Sequence, residues 1–210
     1  MLGLSIRASR IYGIASGSSI GPLPIRYYLS SDTEISHASD DGVFLPIDRV
    51  KMNTAPYLHE TTHILAPCAH CPTWFSEGFA SFVQSYISKH RGGYDGAVFA
   101  KSGNAGIDRE AACWLATANG SAVAPFLGSQ HDPPGMSYDR SNIAAPFYVM
   151  SQSLVKFIVL HAGWGTIRHL LTATDFDRDL KRFTGKSVAE WKREWLASLR
   201  WQRRELNRDP

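Results

Sequence analysis

The sequence predicts an α+β domain, with strand-like segments first and helical ones after. Near the start, "PIRYYLSS" (24–31) and "DDGVFLPIDRV" (40–50) are rich in β-branched, aromatic and apolar residues and carry turn residues at their edges. From about residue 54 onward, apolar residues recur at helical spacing, punctuated by Pro and Gly. That order predicts a small N-terminal mixed sheet followed by a mostly helical C-terminal lobe. The chain has 210 residues, 44% of them hydrophobic and 20% charged, enough to bury one core. We therefore read one domain over 1–210, with the sheet and the first helices in about 1–90 and the helical lobe in about 91–210.

Each element has its own signals. Pro46 lacks a backbone donor, which predicts that "GVFLPI" is an edge strand. Thr54 reads as the N-cap of a helix, with Pro56 in its first turn and Pro67 after its end. A second helix follows Pro72, with Thr73 as a cap and Phe75, Phe79, Phe82, Val83 and Tyr86 on its apolar face. Residues 91–145 read mostly as loop around a short helix at 108–118. The segment 145–163 reads as a buried helix stopped by Gly163, followed by a shorter one in "WGTIRHLLTA". Ser187 and Glu190 form a capping-box pattern, after which Trp191, Trp195 and Leu199 share one face.

Composition narrows the function classes. The net charge is +3, and residues 175–210 carry ten of the 22 Lys/Arg but seven of the 19 Asp/Glu, leaving twelve of each before them. The excess lies on a C-terminal helix, which reads as a solvated face, and no nucleic-acid partner is expected. No run approaches a membrane span. The N-terminus has no continuous apolar stretch like a signal peptide, so the cytoplasm is the default expectation, with export open if the N-terminus was trimmed. Cys68, Cys71 and Cys113 leave several readings open: a metal site of "CAHC" including His70, a redox pair, a disulfide to Cys113, or a purely structural turn. The structural reading is preferred, because no fourth ligand for a second zinc can be placed. Oligomeric state is not legible.

The chemistry concentrates in "HETTH" (59–63). On a helix, i and i+4 share a face, so His59 and His63 can offer imidazole nitrogens to one ion. Glu60 lies about 100° further round, where it misses the ion but can reach a water beside it. A catalytic zinc usually takes three protein ligands, so a third is needed. Ala66 and Ala69 stand where a metzincin places Gly and His, and His70 is one residue late. Glu77 in "PTWFSEGFASF", fourteen residues past His63, is the better candidate, since one loop can return its helix against the first.

"HETTH" followed by "WFSEGFA" resembles the gluzincin metallopeptidases, in particular the aminopeptidase N-like branch and the peptidase MA-like domains. Those proteins carry H-E-x-x-H on one helix and W-x-x-E-G-x-A on the next. The resemblance covers about residues 40–200, with strong motifs only at 59–63 and 74–80. It implies a thermolysin-like zincin fold with an edge strand over the active helix. It implies one zinc ion on His59, His63 and Glu77, Glu60 as general base, and hydrolysis of a peptide or protein substrate. Trp74, Gly78 and Ala80 match the surrounding pattern, and Ser81 is placed to support the metal. The branch also has a tyrosine at the start of a long helix that steadies the oxyanion, which implies that role for Tyr148; Tyr138 and His131 are weaker candidates. The Gly-x-Met-Glu-Asn segment that binds a free amine is missing, so an endopeptidase is expected rather than an aminopeptidase. The rival class is a zinc-binding scaffold or interaction domain without catalysis. An intact Glu60 favours the enzyme, because a structural site has no need of it.

Overall fold

The computed structural model describes residues 25–33, 35–89, 103–136 and 142–206. It begins with three strands, β1 (Tyr27–Ser30), β2 (His37–Ser39) and β3 (Gly42–Pro46). They form one mixed sheet in the order β1-β3-β2, with β1 parallel and β2 antiparallel to β3. Gly42 opens β3 at φ 144°, and a Cβ there would collide with the Arg26 carbonyl oxygen, so the close approach of the two strands requires glycine.

The expected edge strand is therefore the central one. β3 is paired on both sides, and among the described residues the edges are β1 and β2. Pro46 is tolerated because it is the last residue of β3, whereas β2 pairs only Gly42, Val43 and Phe44. The missing donor falls beyond the reach of that neighbour.

Eight helices follow among the described residues: α1 (Ile47–Lys51), α2 (Tyr57–Leu65), α3 (Thr73–Lys89), α4 (Gly103–Leu115), α5 (Ala118–Val123), α6 (Ala144–Leu171), α7 (Phe176–Thr184) and α8 (Val188–Leu206). A short 3-10 turn, Ala124–Phe126, follows α5. The α+β class thus holds. Thr54 is not the cap of α2: the cap position is Pro56, and the Thr54 hydroxyl donates to the Arg49 carbonyl instead. The helix expected at 108–118 runs over 103–115. Gly163 stands at a kink in α6, at φ 80° and ψ 161°, where a first helix ends and a shorter one begins, as the glycine predicts. An L side chain rarely adopts that conformation. The capping box at Ser187 forms: the Ser187 amide donates to Glu190 Oε2 at 2.8 Å and the Glu190 amide to Ser187 Oγ at 3.3 Å.

The main core lies among α2, α3, α4, α6, α7 and α8, where Trp74, Phe75, Phe79, Phe147, Phe176 and Trp195 are fully enclosed. Trp191 and Leu199 join Trp195 in it, as their spacing predicts. A smaller cluster of Val43, Leu45, Ala55 and Ile64 glues the sheet to α2. The helix that carries HETTH is thus held between the sheet and α3.

Candidate metal centre

Helix α2 begins without a side-chain cap of its own. The first N–H groups of any helix lack intrahelical acceptors, and burial makes that costly. Here α3 supplies the acceptor: the His59 amide donates to Gln84 Oε1 at 3.1 Å. The same bond sets the register of α2 against α3. The Thr61 and Thr62 hydroxyls donate back to the carbonyls of Tyr57 and Leu58. Thr61 Oγ1 also lies 2.6 Å from the Tyr27 hydroxyl. Because Thr61 has spent its proton on Tyr57, Tyr27 is the donor, and the bond ties α2 to β1.

Along α3, Glu77, Ser81 and Gln84 recur at i, i+4 and i+7 and form a polar stripe facing α2. Gly78 lets α3 approach α6, where a side chain would meet the backbone of Ser151. Glu77, next to it, faces α2. Its Oε2 lies 3.0 Å from His59 Nε2 and 3.6 Å from His63 Nε2. The two Nε2 atoms are 3.2 Å apart. All three potential ligand atoms lie within 4.8 Å of one another, so one metal ion could be held by this group. The Nδ1 atoms also have partners: Ser81 Oγ is 3.3 Å from that of His59, and Ser76 Oγ is 3.4 Å from that of His63.

The electrostatics suit a cation. Burial raises the Glu77 pKa, but hydrogen bonds with both histidines outweigh it and hold the carboxyl well below the usual carboxylate range. Burial lowers that of His63, but the hydrogen bond and negative charge of Glu77 outweigh it and the net shift is upward. Glu60 is 6% exposed; burial raises its pKa, and the nearby His59 and His63 only partly oppose this. A buried carboxylate beside two imidazoles is an arrangement that either a proton or a metal ion can neutralise.

Of the residues singled out from sequence, His59, His63 and Glu77 converge, and Glu60 lies within electrostatic range of all three. Tyr148, on the second turn of α6, is half-buried with its ring centroid 6.0 Å from that of His59. Ser81 contacts the His59 ring through its hydroxyl. His70 and His131 are exposed and are not members of the ligand group. Tyr138 lies outside the described residues. Cys68 bonds to Cys71, so the pairing with Cys113 does not form, and Cys113 is an exposed free thiol on α4. The turn between α2 and α3 brings the two Cα atoms to 5.3 Å, within disulfide reach.

Three contributors are not obvious in the sequence. Ser76 directly precedes Glu77, and Gln84 follows it at i+7, so the polar stripe on α3 was the available signal. His37, on edge strand β2, acts electrostatically on Glu60; nothing local in the sequence marks it. No family model, no curated protein and no solved structure matches this chain. No helix among the described residues is long and apolar enough to cross a membrane.

Proposed function

We propose that this chain is a zinc-dependent peptidase of gluzincin type, with a thermolysin-like arrangement of edge strand, active helix and ligand-bearing second helix. The observation that carries the reading is the convergence of His59 Nε2, His63 Nε2 and Glu77 Oε2 from two successive helices, with Glu60 buried beside them. Two imidazoles and a carboxylate are a donor set that zinc prefers, and three protein ligands leave a position open for chemistry. The Nδ1 partners match the support that metal-bound histidines usually have.

A zinc ion held there would act as a Lewis acid, acidifying a water and polarising the scissile carbonyl. Glu60 takes the proton of the attacking water and delivers it to the leaving amine. The Tyr148 hydroxyl donates a hydrogen bond to the negative charge that develops on the carbonyl oxygen. An extended peptide or protein segment binds by strand addition. Edge strand β2 is the favoured template, because it packs on α2 and its His37 partly opposes the upward shift of the Glu60 pKa. Such binding does not need a free N-terminus and suits an endopeptidase.

The test is elemental analysis followed by a mixed peptide library, run on wild type and on Glu60→Gln. Stoichiometric zinc with cleavage in wild type, and zinc without cleavage in Glu60→Gln, is the expected result. Full activity in Glu60→Gln would sink the mechanism. Zinc with no cleavage by wild type would favour a zinc-stapled scaffold instead.

A further inference from the structure

We infer that Cys68 and Cys71 form a reversible thiol–disulfide exchange site that couples the redox state of the turn between α2 and α3 to cation binding at His59, His63 and Glu77. The coupling rests on the metal-centre reading of those three residues.

Residues 66–72 join the helix that carries both histidines to the helix that carries Glu77. His63 lies five residues before Cys68, and Glu77 six residues after Cys71. The disulfide closes this turn on itself, with Cα atoms 5.3 Å apart and the Cys71 amide donating to the Cys68 carbonyl at 3.4 Å. Opening the bond gives the turn more conformations. A restrained turn therefore lowers the entropy that the ligand group loses when it closes round an ion.

The site is open to a reductant. Both cysteines are half-buried, and Ala69 and His70 between them are exposed. Cys71 packs against the main core, which leaves Cys68 as the sulfur to attack. A dithiol reductant balances the step. Its thiolate bonds to Cys68 Sγ, the Cys68–Cys71 bond breaks, and the electron pair leaves on Cys71 Sγ, which takes a proton. The second thiol, giving up its proton, then attacks the reductant's own sulfur and releases Cys68, which is protonated in turn. The reductant ends as a disulfide, and two electrons and two protons have passed to the protein. Cys71 stands two residues before α3, and the unpaired amides at a helix N-terminus favour a thiolate leaving there.

The reduced state also has a partner. The Leu170 carbonyl oxygen, near the end of α6, lies 3.6 Å from Cys68 Sγ and 3.9 Å from Cys71 Sγ. It accepts the Ala173 amide at 3.1 Å, and a carbonyl has a second lone pair. Disulfide sulfurs have no hydrogen to donate, whereas a thiol does, and its acceptor is in place. The bond between the His59 amide and Gln84 and the apolar core still hold α2 against α3 after reduction. The turn is thus released while the fold stays.

The experiment uses the full chain with Cys113→Ser, so that no third thiol exchanges. Three proteins are titrated with zinc against a competing chelator: oxidised, reduced with dithiothreitol and desalted without oxygen, and Cys68→Ser/Cys71→Ser. Thiol labelling read by mass spectrometry reports the redox state, and melting of the chelated proteins reports stability. The native protein is expected to be reduced and reoxidised to the same bond, and to bind zinc about fivefold or more weakly once reduced. The double serine variant, which has no thiol to offer the ion, is expected to match the reduced protein. Should that variant not fold, the reduced protein decides. A disulfide that merely staples the turn would raise the melting temperature yet leave zinc affinity unchanged. Equal affinity in oxidised and reduced protein, or a bond reduced only after denaturation, overturns this inference alone. A protein that binds no zinc in either state overturns the metal centre with it.

Discussion

A Cβ on residue 78 would sit 2.5 Å from the carbonyl oxygen of Ser151, so α3 and α6 touch there with no room for a side chain. The residue before it, Glu77, is the carboxylate of the group that could hold a metal ion. The glycine of "EG" thus lets the helices close, and the glutamate beside it inherits its position from that closure. Gly78→Ala is expected to cost about 1–3 kcal/mol through overpacking and to weaken metal binding as well. Urea denaturation with and without zinc checks both; a variant as stable as wild type would show that the contact yields easily.

Removing a ligand should uncouple the fold from metal. Ligand binding to the native state alone stabilises it by about 2.7 kcal/mol at a hundredfold excess over Kd. Wild type is therefore expected to melt higher with zinc and lower with chelator. In Glu77→Gln and His63→Ala the two curves should nearly coincide. A chelator-insensitive wild type would argue that the cluster binds nothing.

The acid–base behaviour of the metal-free protein follows from the two shifts. Glu77 is held below its ordinary value of 4.5, so its contribution is present above that pH and is lost as pH falls toward the depressed folded value. His63 is held above its ordinary 6.5, so its contribution is full below that pH and is lost as pH rises through the raised folded value. The stability gap between chelated wild type and chelated Glu77→Gln should be widest between 4.5 and 6.5 and should narrow on the alkaline side. Zinc affinity runs the other way, since the ion must displace the His63 proton. It should weaken steadily as pH drops through the His63 titration, with proton release visible by calorimetry in two buffers.

The Tyr27–Thr61 bond links the sheet to the HETTH helix at 2.6 Å. Tyr27→Phe removes the donor and should cost about 0.5–1.5 kcal/mol. Thr61→Val should cost a similar amount, and the double variant less than the two together, because the residues share one interaction. A fully additive cycle would mean that the bond contributes nothing.

Much of this site was legible in the sequence. His59 and His63 needed only helical spacing, and Ser187 with Glu190 needed only local capping geometry. Glu77 required a second motif, because fourteen residues of separation do not say where a helix returns. The role of Thr61 was hidden, since its partner lies 34 residues away on a strand. The central position of β3 is not legible in the sequence for a related reason. Proline excludes a donor at one point, but whether that point faces a neighbour depends on the length and register of another strand.

The sequence by itself determined the α+β order, the two-histidine face and the residue types of the ligand set. These follow from short-range periodicity and side-chain chemistry, which the chain carries with it wherever it folds. Tertiary structure alone decided that Glu77 meets both imidazoles, that Gln84 caps the HETTH helix, that Cys113 is left out of the disulfide, and that among the described residues β2 and not β3 is the edge strand beside that helix. Each of those is a meeting of distant segments, set by packing against α6 and by strand register, and no local pattern encodes where two such segments come to rest.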